Sequence, residues 1–152
     1  MKITDFLTEK TIFTDLKAQN KRELLQELAA PVAEMTAIPA ETIMKVLLER
    51  ERLGSTGIGQ GIGIPHGKLK ELDSLVMACG ICRQGVDFDS LDGKPAYLFF
   101  LLLAPENNAE LHLQMLAKLS KYLKMPAFRS DLINAESPAE IIKIIDQAEA
   151  NY

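Results

Sequence analysis

Hydrophobic residues recur at helical spacing near both ends of the chain and form continuous runs in its middle. Asn20 followed by Glu23 is a capping pair for a first helix, whose apolar stripe is Leu24, Leu25, Leu28, Ala29 and Val32. Pro39 is predicted to be an early residue of a second helix with the stripe Ile43, Val46 and Leu47. This helix should end before Gly54, with Arg50 on the same side as the stripe.

The middle of the chain predicts strands, and its last third predicts helices. Strands are expected at 75–82, 86–88 and 97–103, with a turn at Asp92-Gly93 before the last of them. A helix begins at Asn107 or Asn108 and runs to 123. Ser137 and Glu140 then cap a final helix with the stripe Ile141, Ile142, Ile144 and Ile145. Because no helices separate the strands, a doubly wound parallel sheet is not expected. The pattern predicts one α/β domain over 1–152, a layered sandwich with a central mixed β-sheet flanked by helices.

Composition and charge exclude some classes of function for this chain. The 152 residues are 47% hydrophobic and 25% charged, with a net charge of −4, which argues against nucleic-acid binding. The longest apolar run, 96–104, is far shorter than the roughly 20 residues of a membrane-spanning helix. Cys79 and Cys82 would point to opposite faces of a strand, so buried unpaired thiols are favoured over a redox pair. No signal peptide pattern is present, and the cytoplasm is the expected location.

Six of the nine glycines lie in the segment 54–67, which also contains a histidine. This segment fits neither of two nucleotide-binding motifs. The P-loop spacing fails because Ile62 stands at its first glycine position and Leu69 follows Lys68. A dinucleotide fingerprint fails from each possible start, because its third glycine position holds Ile62, Ile64 or His66. Nucleotide binding is therefore disfavoured.

A third interpretation makes His66 the reactive group. Pro65 fixes the backbone before it and Gly67 removes side-chain bulk after it, so the imidazole can sit at the end of a strand. A neutral imidazole nitrogen is a competent nucleophile near pH 7. Neighbouring N–H groups and the hydroxyls of Ser55 and Thr56 can hold phosphate oxygens. The alternative is a histidine beside a tight turn with no chemical role.

His112 is the second of only two histidines. It shares one stripe of a helix with Met115, Leu116, Leu119 and Leu123, so it should face the interior. Spacing leaves two interpretations open, a hydrogen-bonded core residue or one half of an active histidine pair.

The segment 51–67 resembles the signature of the type-2 IIA domains of the bacterial phosphoenolpyruvate-dependent phosphotransferase system. That signature is carried here by Glu51, Ile58-Gly59 and Ile62-Gly63-Ile64-Pro65-His66-Gly67. Gly63 stands where the family usually has Ala. The resemblance extends over nearly the whole chain and includes Arg50 and the stretch Glu110-Leu111-His112-Leu113.

The resemblance implies a role for each matching residue. His66 would accept a phosphoryl group from a small HPr- or NPr-like carrier protein, His112 would support it, and Arg50 would stabilise the phosphate. Ser55, Thr56 and Gly67 are the candidates for a phosphate-holding loop. No cofactor and no metal are implied, and no nucleic acid or membrane insertion is expected. The carrier should contact the 53–61 loop and the helix of His112.

The stretch Ser55-Thr56-Gly57-Ile58-Gly59-Gln60-Gly61 is most similar to the nitrogen-regulatory branch of this family. The resemblance therefore implies a regulatory phosphocarrier whose target proteins the sequence does not identify. A fructose- or mannitol-type IIA that passes the phosphoryl group to a IIB domain is the first alternative. A regulatory binding module without phosphotransfer is the second.

Overall fold

The computed structural model describes residues 1–151, and within them six strands form one mixed sheet. The strands are β1 (Ile12–Phe13), β2 (Gly57–Gly59), β3 (Ile62–Gly63), β4 (His66–Leu69), β5 (Val76–Val86) and β6 (Ala96–Pro105). Their order is β1-β5-β6-β3-β2, and β4 also pairs with β6. β5 runs antiparallel to β6, whereas β3 and β4 run parallel to it.

The central strand β6 is apolar throughout because both of its faces are covered. Leu98, Phe100 and Leu102 lie in one hydrophobic core, and Phe99 and Leu101 in the other. The two cysteines follow the same alternation on β5: Cys79 belongs to the first core and Cys82 to the second, and both are free thiols. The prediction that they point to opposite faces is confirmed.

Two helical layers cover the sheet, so the predicted layered sandwich with a central mixed sheet is confirmed. The helices are α1 (Lys21–Thr36), α2 (Ala40–Arg52), α3 (Ala109–Leu123), α4 (Pro126–Asn134) and α5 (Pro138–Asn151). The core under α1 and α2 lies on one face, and the core under α3, α4 and α5 lies on the other. Among residues 1–151, no helix is long and apolar enough to cross a membrane.

The predicted helix starts are confirmed with one adjustment. The Asn20 side chain accepts a hydrogen bond from the Glu23 amide, and the Ser137 hydroxyl accepts one from the Glu140 amide. The helix predicted from Asn107 or Asn108 begins after Asn108, whose side chain accepts from the Leu111 amide. Pro39 is the residue before the first turn of α2, not a residue inside the helix.

The sequence pattern missed the shorter elements. β1 to β4 have at most four residues each and β2 and β3 are rich in glycine, so no alternation develops. Helix α4 was not predicted because only Phe128 and Leu132 of its nine residues are buried. The separate strand expected at 86–88 is wrong, because Val86 ends β5 and Phe88 lies beyond it.

Candidate active site

His66 lies at a break in the edge pairing of β6. β3 and β4 both pair with β6 on this side, and Ile64 and Pro65 lie between the two short strands. The Pro65 carbonyl accepts a hydrogen bond from the Leu102 amide, and His66 then begins β4 opposite Leu102. Because proline lacks an N–H, the ladder is interrupted at the residue before His66.

The two ring nitrogens of His66 have different partners. Nδ1 is 2.7 Å from the Ile64 carbonyl oxygen, which can only accept, so Nδ1 carries the proton and donates. Nε2 is therefore the nitrogen with the free electron pair. It accepts a hydrogen bond of 3.2 Å from Nε of Arg50. The backbone around Ile64 thus selects the ring tautomer that is protonated on Nδ1.

Arg50 reaches His66 from the last turn of α2. Its second hydrogen bond, from Nη1 to the Gly54 carbonyl at 2.8 Å, holds the guanidinium against the loop that follows the helix. Val46, one turn earlier on α2, packs against β4 at Gly67, where a Cβ atom would lie only 2.3 Å from Val46 Cγ1. The glycine at 67 therefore lets α2 approach closely enough for Arg50 to contact the imidazole.

His112 approaches from the other helical layer. Its ring lies edge-on to that of His66, with centroids 5.2 Å apart and planes at 80°. Only 5% of the residue is exposed, and its Nε2 atom is buried without a hydrogen-bond partner among the described residues. A buried polar atom without a partner is unfavourable, so Nε2 of His112 is a group to which a ligand in the cleft would offer a hydrogen-bond partner.

The two histidines and Arg50 share a cleft of about 450 Å³ at the open edge of β4, between α2 and α3. Its lining also includes Val46, Glu49, Leu53, Gly67, Lys68, Leu113 and Leu116. Leu53 and Leu113 are 84% and 67% exposed at its rim, which gives the cleft an apolar mouth. A larger groove of about 690 Å³ lies between α1 and α2, but neither histidine lines it.

Lys68 is a cleft residue that the sequence reasoning did not select. It follows His66 by two positions on β4, so the two side chains leave the strand on the same face. The i, i+2 spacing could have indicated this placement once 66–69 was recognised as a strand. Its ammonium group adds a second positive charge to the lining of the cleft, which also contains Arg50.

Both histidines are kept neutral near pH 7. Burial is the largest influence on His66 and lowers its pKa, and the charge of Arg50 lowers the pKa further. The hydrogen bond to the Ile64 carbonyl and the charge of Glu51 raise the pKa, but they do not outweigh burial. Burial, His66 and Lys68 together lower the pKa of His112 to about 4. A neutral His66 has the free electron pair that a nucleophile needs.

The structure does not bring the hydroxyls of Ser55 and Thr56 toward His66. The Ser55 hydroxyl donates to the Phe88 carbonyl at 2.7 Å and accepts from the Gly57 amide. The Thr56 hydroxyl is buried and donates to the Glu51 carboxylate. Both groups stabilise the loop after α2, so the predicted phosphate-holding role has no geometric support at these two positions.

Comparison with known proteins gives a family match. The family model described as "Phosphoenolpyruvate-dependent sugar phosphotransferase system, EIIA 2" matches residues 5–148. A nitrogen regulatory protein of Bradyrhizobium diazoefficiens is 43% identical over 124 residues, which cover 82% of this chain and 81% of that protein. A fructose-specific EIIABC component of Bacillus subtilis is 37% identical over 148 residues, 97% of this chain but 23% of that longer protein.

The comparison with solved structures agrees with the family match. The crystal structure of the nitrogen regulatory protein IIA-Ntr from Neisseria meningitidis superposes with a TM-score of 0.90 at 34% identity, covering 94% of this chain and 98% of that one.

Proposed function

The chain belongs to the EIIA 2 family of the phosphoenolpyruvate-dependent sugar phosphotransferase system, and we propose that it is a regulatory phosphocarrier that accepts a phosphoryl group on Nε2 of His66. The donor would be the phosphohistidine of an HPr- or NPr-like carrier protein. The observation that carries this proposal is the pairing of the His66 ring, in which Nδ1 donates to the Ile64 carbonyl and Nε2 faces the cleft with its electron pair.

The transfer needs no proton movement at His66. The Nε2–P bond forms while the carrier's N–P bond breaks, and the electron pair of that bond returns to the carrier's imidazole. The Nδ1 proton stays on His66, where the Ile64 carbonyl stabilises the positive charge that the ring gains. The cleft therefore contributes mainly orientation and charge stabilisation, which phosphoryl transfer requires.

Arg50, His112 and Lys68 would stabilise the phosphoryl oxygens. The guanidinium of Arg50 donates to Nε2 before the reaction, so it must shift to the oxygens as the phosphoryl group arrives. The phosphoryl oxygens would give Nε2 of His112 the hydrogen-bond partner that it lacks among the described residues. Lys68 supplies a point charge at the cleft wall. The exposed Leu53 and Leu113 would contact the carrier.

The regulatory part of the proposal rests on the relatives. The nitrogen regulatory proteins cover most of this chain and are themselves covered over most of their length. Phosphorylation of His66 would then serve as a signal to target proteins. Two buried, unpaired cysteines fit the reducing environment of the cytoplasm, which we propose as the location.

Transport is the second candidate function, favoured by the similarity to the fructose-specific component of Bacillus subtilis. In that case the phosphoryl group would continue to a IIB cysteine. A module without phosphotransfer is the remaining alternative, and the contact between Arg50 and the free electron pair of His66 argues against it.

The test is intact mass analysis after incubation with enzyme I, the carrier and phosphoenolpyruvate. The wild-type chain should gain one acid-labile phosphoryl group, and His66→Ala should gain none. Subsequent addition of a IIB protein separates the two phosphotransfer candidates, because only a transport component should lose the group to it rapidly. An acid-stable label on Ser55 or Thr56 would overturn the assignment to His66.

A further inference from the structure

Glu51, which follows Arg50 in the chain, is connected to both ring nitrogens of His66 without touching the ring, to Nδ1 through its carboxylate and to Nε2 through its main chain. The Glu51 side chain is only 6% exposed. Its Oε1 atom lies 2.7 Å from Nζ of Lys21 and accepts the Thr56 amide at 3.1 Å. Its Oε2 atom accepts from the Thr56 hydroxyl. Within the described residues, Glu51 thus ties the first turn of α1 to the loop that follows α2.

The first connection runs through Thr56 to Nδ1. The Thr56 carbonyl accepts a hydrogen bond of 2.9 Å from the Ile64 amide. The carbonyl of the same Ile64 accepts from Nδ1 of His66 at 2.7 Å. The position of the Ile64 peptide, and with it the acceptor that holds the Nδ1 proton, therefore depends on where Thr56 is held.

The second connection runs through Arg50 to Nε2. The Gly54 amide donates to the Glu51 carbonyl at 3.1 Å, and the Gly54 carbonyl accepts from Nη1 of Arg50. Nε of Arg50 then donates to Nε2 of His66. A single residue, Glu51, fixes the loop by its side chain at Thr56 and by its main chain at Gly54.

We propose that Glu51, charge-balanced by Lys21, is a positioning residue that sets the tautomer and orientation of His66 through these two connections. Rigid placement of the loop keeps the proton on Nδ1 and the electron pair of Nε2 directed into the cleft. The inference rests on the proposed function only in that Nε2 is the atom proposed to accept the phosphoryl group. The tautomer itself can be measured without any phosphoryl transfer.

The chain contains a matched control for a purely structural role. Glu149 on α5 is also a buried carboxylate, with its side chain 3% exposed, and it accepts from the Ile3 amide. Its cation is Lys118, at 3.1 Å. This pair joins α3, α5 and the N-terminal segment, and its hydrogen bonds do not lead to His66. Loss of either pair should reduce stability, but only loss of the Glu51 contacts should alter the imidazole.

The experiment determines which ring nitrogen of His66 carries the proton, from the ¹⁵N chemical shifts in long-range ¹H–¹⁵N correlation spectra of the full chain. The variants are Glu51→Gln, Lys21→Met and Thr56→Val, with Thr56→Ser as the conservative rescue and Lys118→Met as the control. We expect the Nδ1–H tautomer in the wild type, Thr56→Ser and Lys118→Met. In the other three, a population with the proton on Nε2 should appear. Thr56→Val keeps the test informative if a charge change unfolds the protein.

Phosphoryl acceptance from the carrier gives the second readout. The kcat should fall about 10- to 100-fold in Glu51→Gln and Thr56→Val at unchanged KM, because the attacking atom is misdirected while docking is preserved. Wild-type tautomer in folded Glu51→Gln and Thr56→Val, or an equal change in Lys118→Met, would overturn the inference. A tautomer change in a chain that never accepts a phosphoryl group would support the positioning role and reject the proposed function instead.

Discussion

Nε of Arg50 donates a hydrogen bond of 3.2 Å to Nε2 of His66, the ring nitrogen that has the free electron pair. The guanidinium therefore occupies the direction from which a phosphorus atom would approach. In the proposed transfer this hydrogen bond would break as the Nε2–P bond forms, and the donors of Arg50 would become free to contact the phosphoryl oxygens. The contact that orients the imidazole would thus also place the cation next to the negative charge of the phosphoryl group.

Arg50→Lys should slow phosphoryl acceptance by roughly 10²–10³-fold, because an ammonium group cannot reproduce the planar set of donors. Rapid-quench transfer from the phosphorylated carrier measures the rate. Arg52→Lys, an exposed position on the same helical turn, is the matched control and should retain the wild-type rate. Equal rates for the two variants would reduce Arg50 to a structural residue.

His112→Ala should still become phosphorylated, but slowly, and should pass the group on poorly. The variant keeps the nucleophile of His66 and loses one buried donor to the phosphoryl oxygens, a loss of roughly 10²–10³-fold in rate. Single-turnover kinetics in both directions would measure this. Gln114→Ala, two residues further on α3 and exposed, serves as the control. A wild-type rate for His112→Ala would contradict the role.

The stability of the protein should fall as the pH drops below 6.5. The pKa of His112 in the folded state is about 4, so the unfolded state binds its proton first. The loss from this residue alone should reach about 2 kcal/mol at pH 5 and level off below pH 4. Urea unfolding at pH 7, 6 and 5 measures the slope. His112→Gln should show a shallower slope, and an unchanged slope would contradict the lowered pKa.

Leu53→Asp and Leu113→Asp should each raise the KM for the phosphorylated carrier by about tenfold with little change in kcat, since they replace exposed apolar contacts at the mouth of the cleft. Met35→Asp changes another exposed apolar side chain, on α1 and away from the cleft, and should leave KM unchanged. Chemical-shift mapping with the carrier gives an independent measurement. Carrier contacts on α5 instead of the 53–61 loop and α3 would contradict the prediction.

Gly67→Ala should destabilise the fold by about 1–3 kcal/mol, because its Cβ would overlap with Val46 Cγ1. The added methyl group should also push α2 away from β4 and lengthen the Arg50–His66 contact. Thermal unfolding and transfer kinetics measure the two effects. The double variant Gly67→Ala/Val46→Ala removes the clash and should recover part of both; no recovery would show that the cause lies elsewhere.

The sequence predicted those parts of the fold and of the site that depend on residues close to one another in the chain. The Asn20 and Ser137 caps and the stripe that turns His112 inward depend on residues three to four positions apart, and the structure confirms them. The apolar run at 97–103 predicted a strand, and the structure has β6 there. These features depend on spacing, which a sequence displays directly.

The remaining features depend on long-range contacts. The proton position on His66 is set by the Ile64 carbonyl, and the inward direction of the Thr56 hydroxyl by the Glu51 carboxylate. Lys68 becomes a cleft residue only because 66–69 pairs with β6 as a strand, although the glycine-rich segment shows no strand pattern. The sequence around His66 therefore does not show where the hydroxyls of Ser55 and Thr56 point, which the Phe88 carbonyl and the Glu51 carboxylate determine.

Arg50 and His112 reach the cleft from helices on opposite faces of the sheet, and His66 lies at the sheet edge between them. Neither half of the chain contains all three groups. During synthesis, residues 1–105 complete every strand of the sheet, yet they lack the imidazole at 112. A nascent chain therefore acquires the complete cleft only once α3 has docked. The complete cleft is thus a property of the assembled two-layer fold, and a segment that ends before α3 cannot present Arg50, His66 and His112 together.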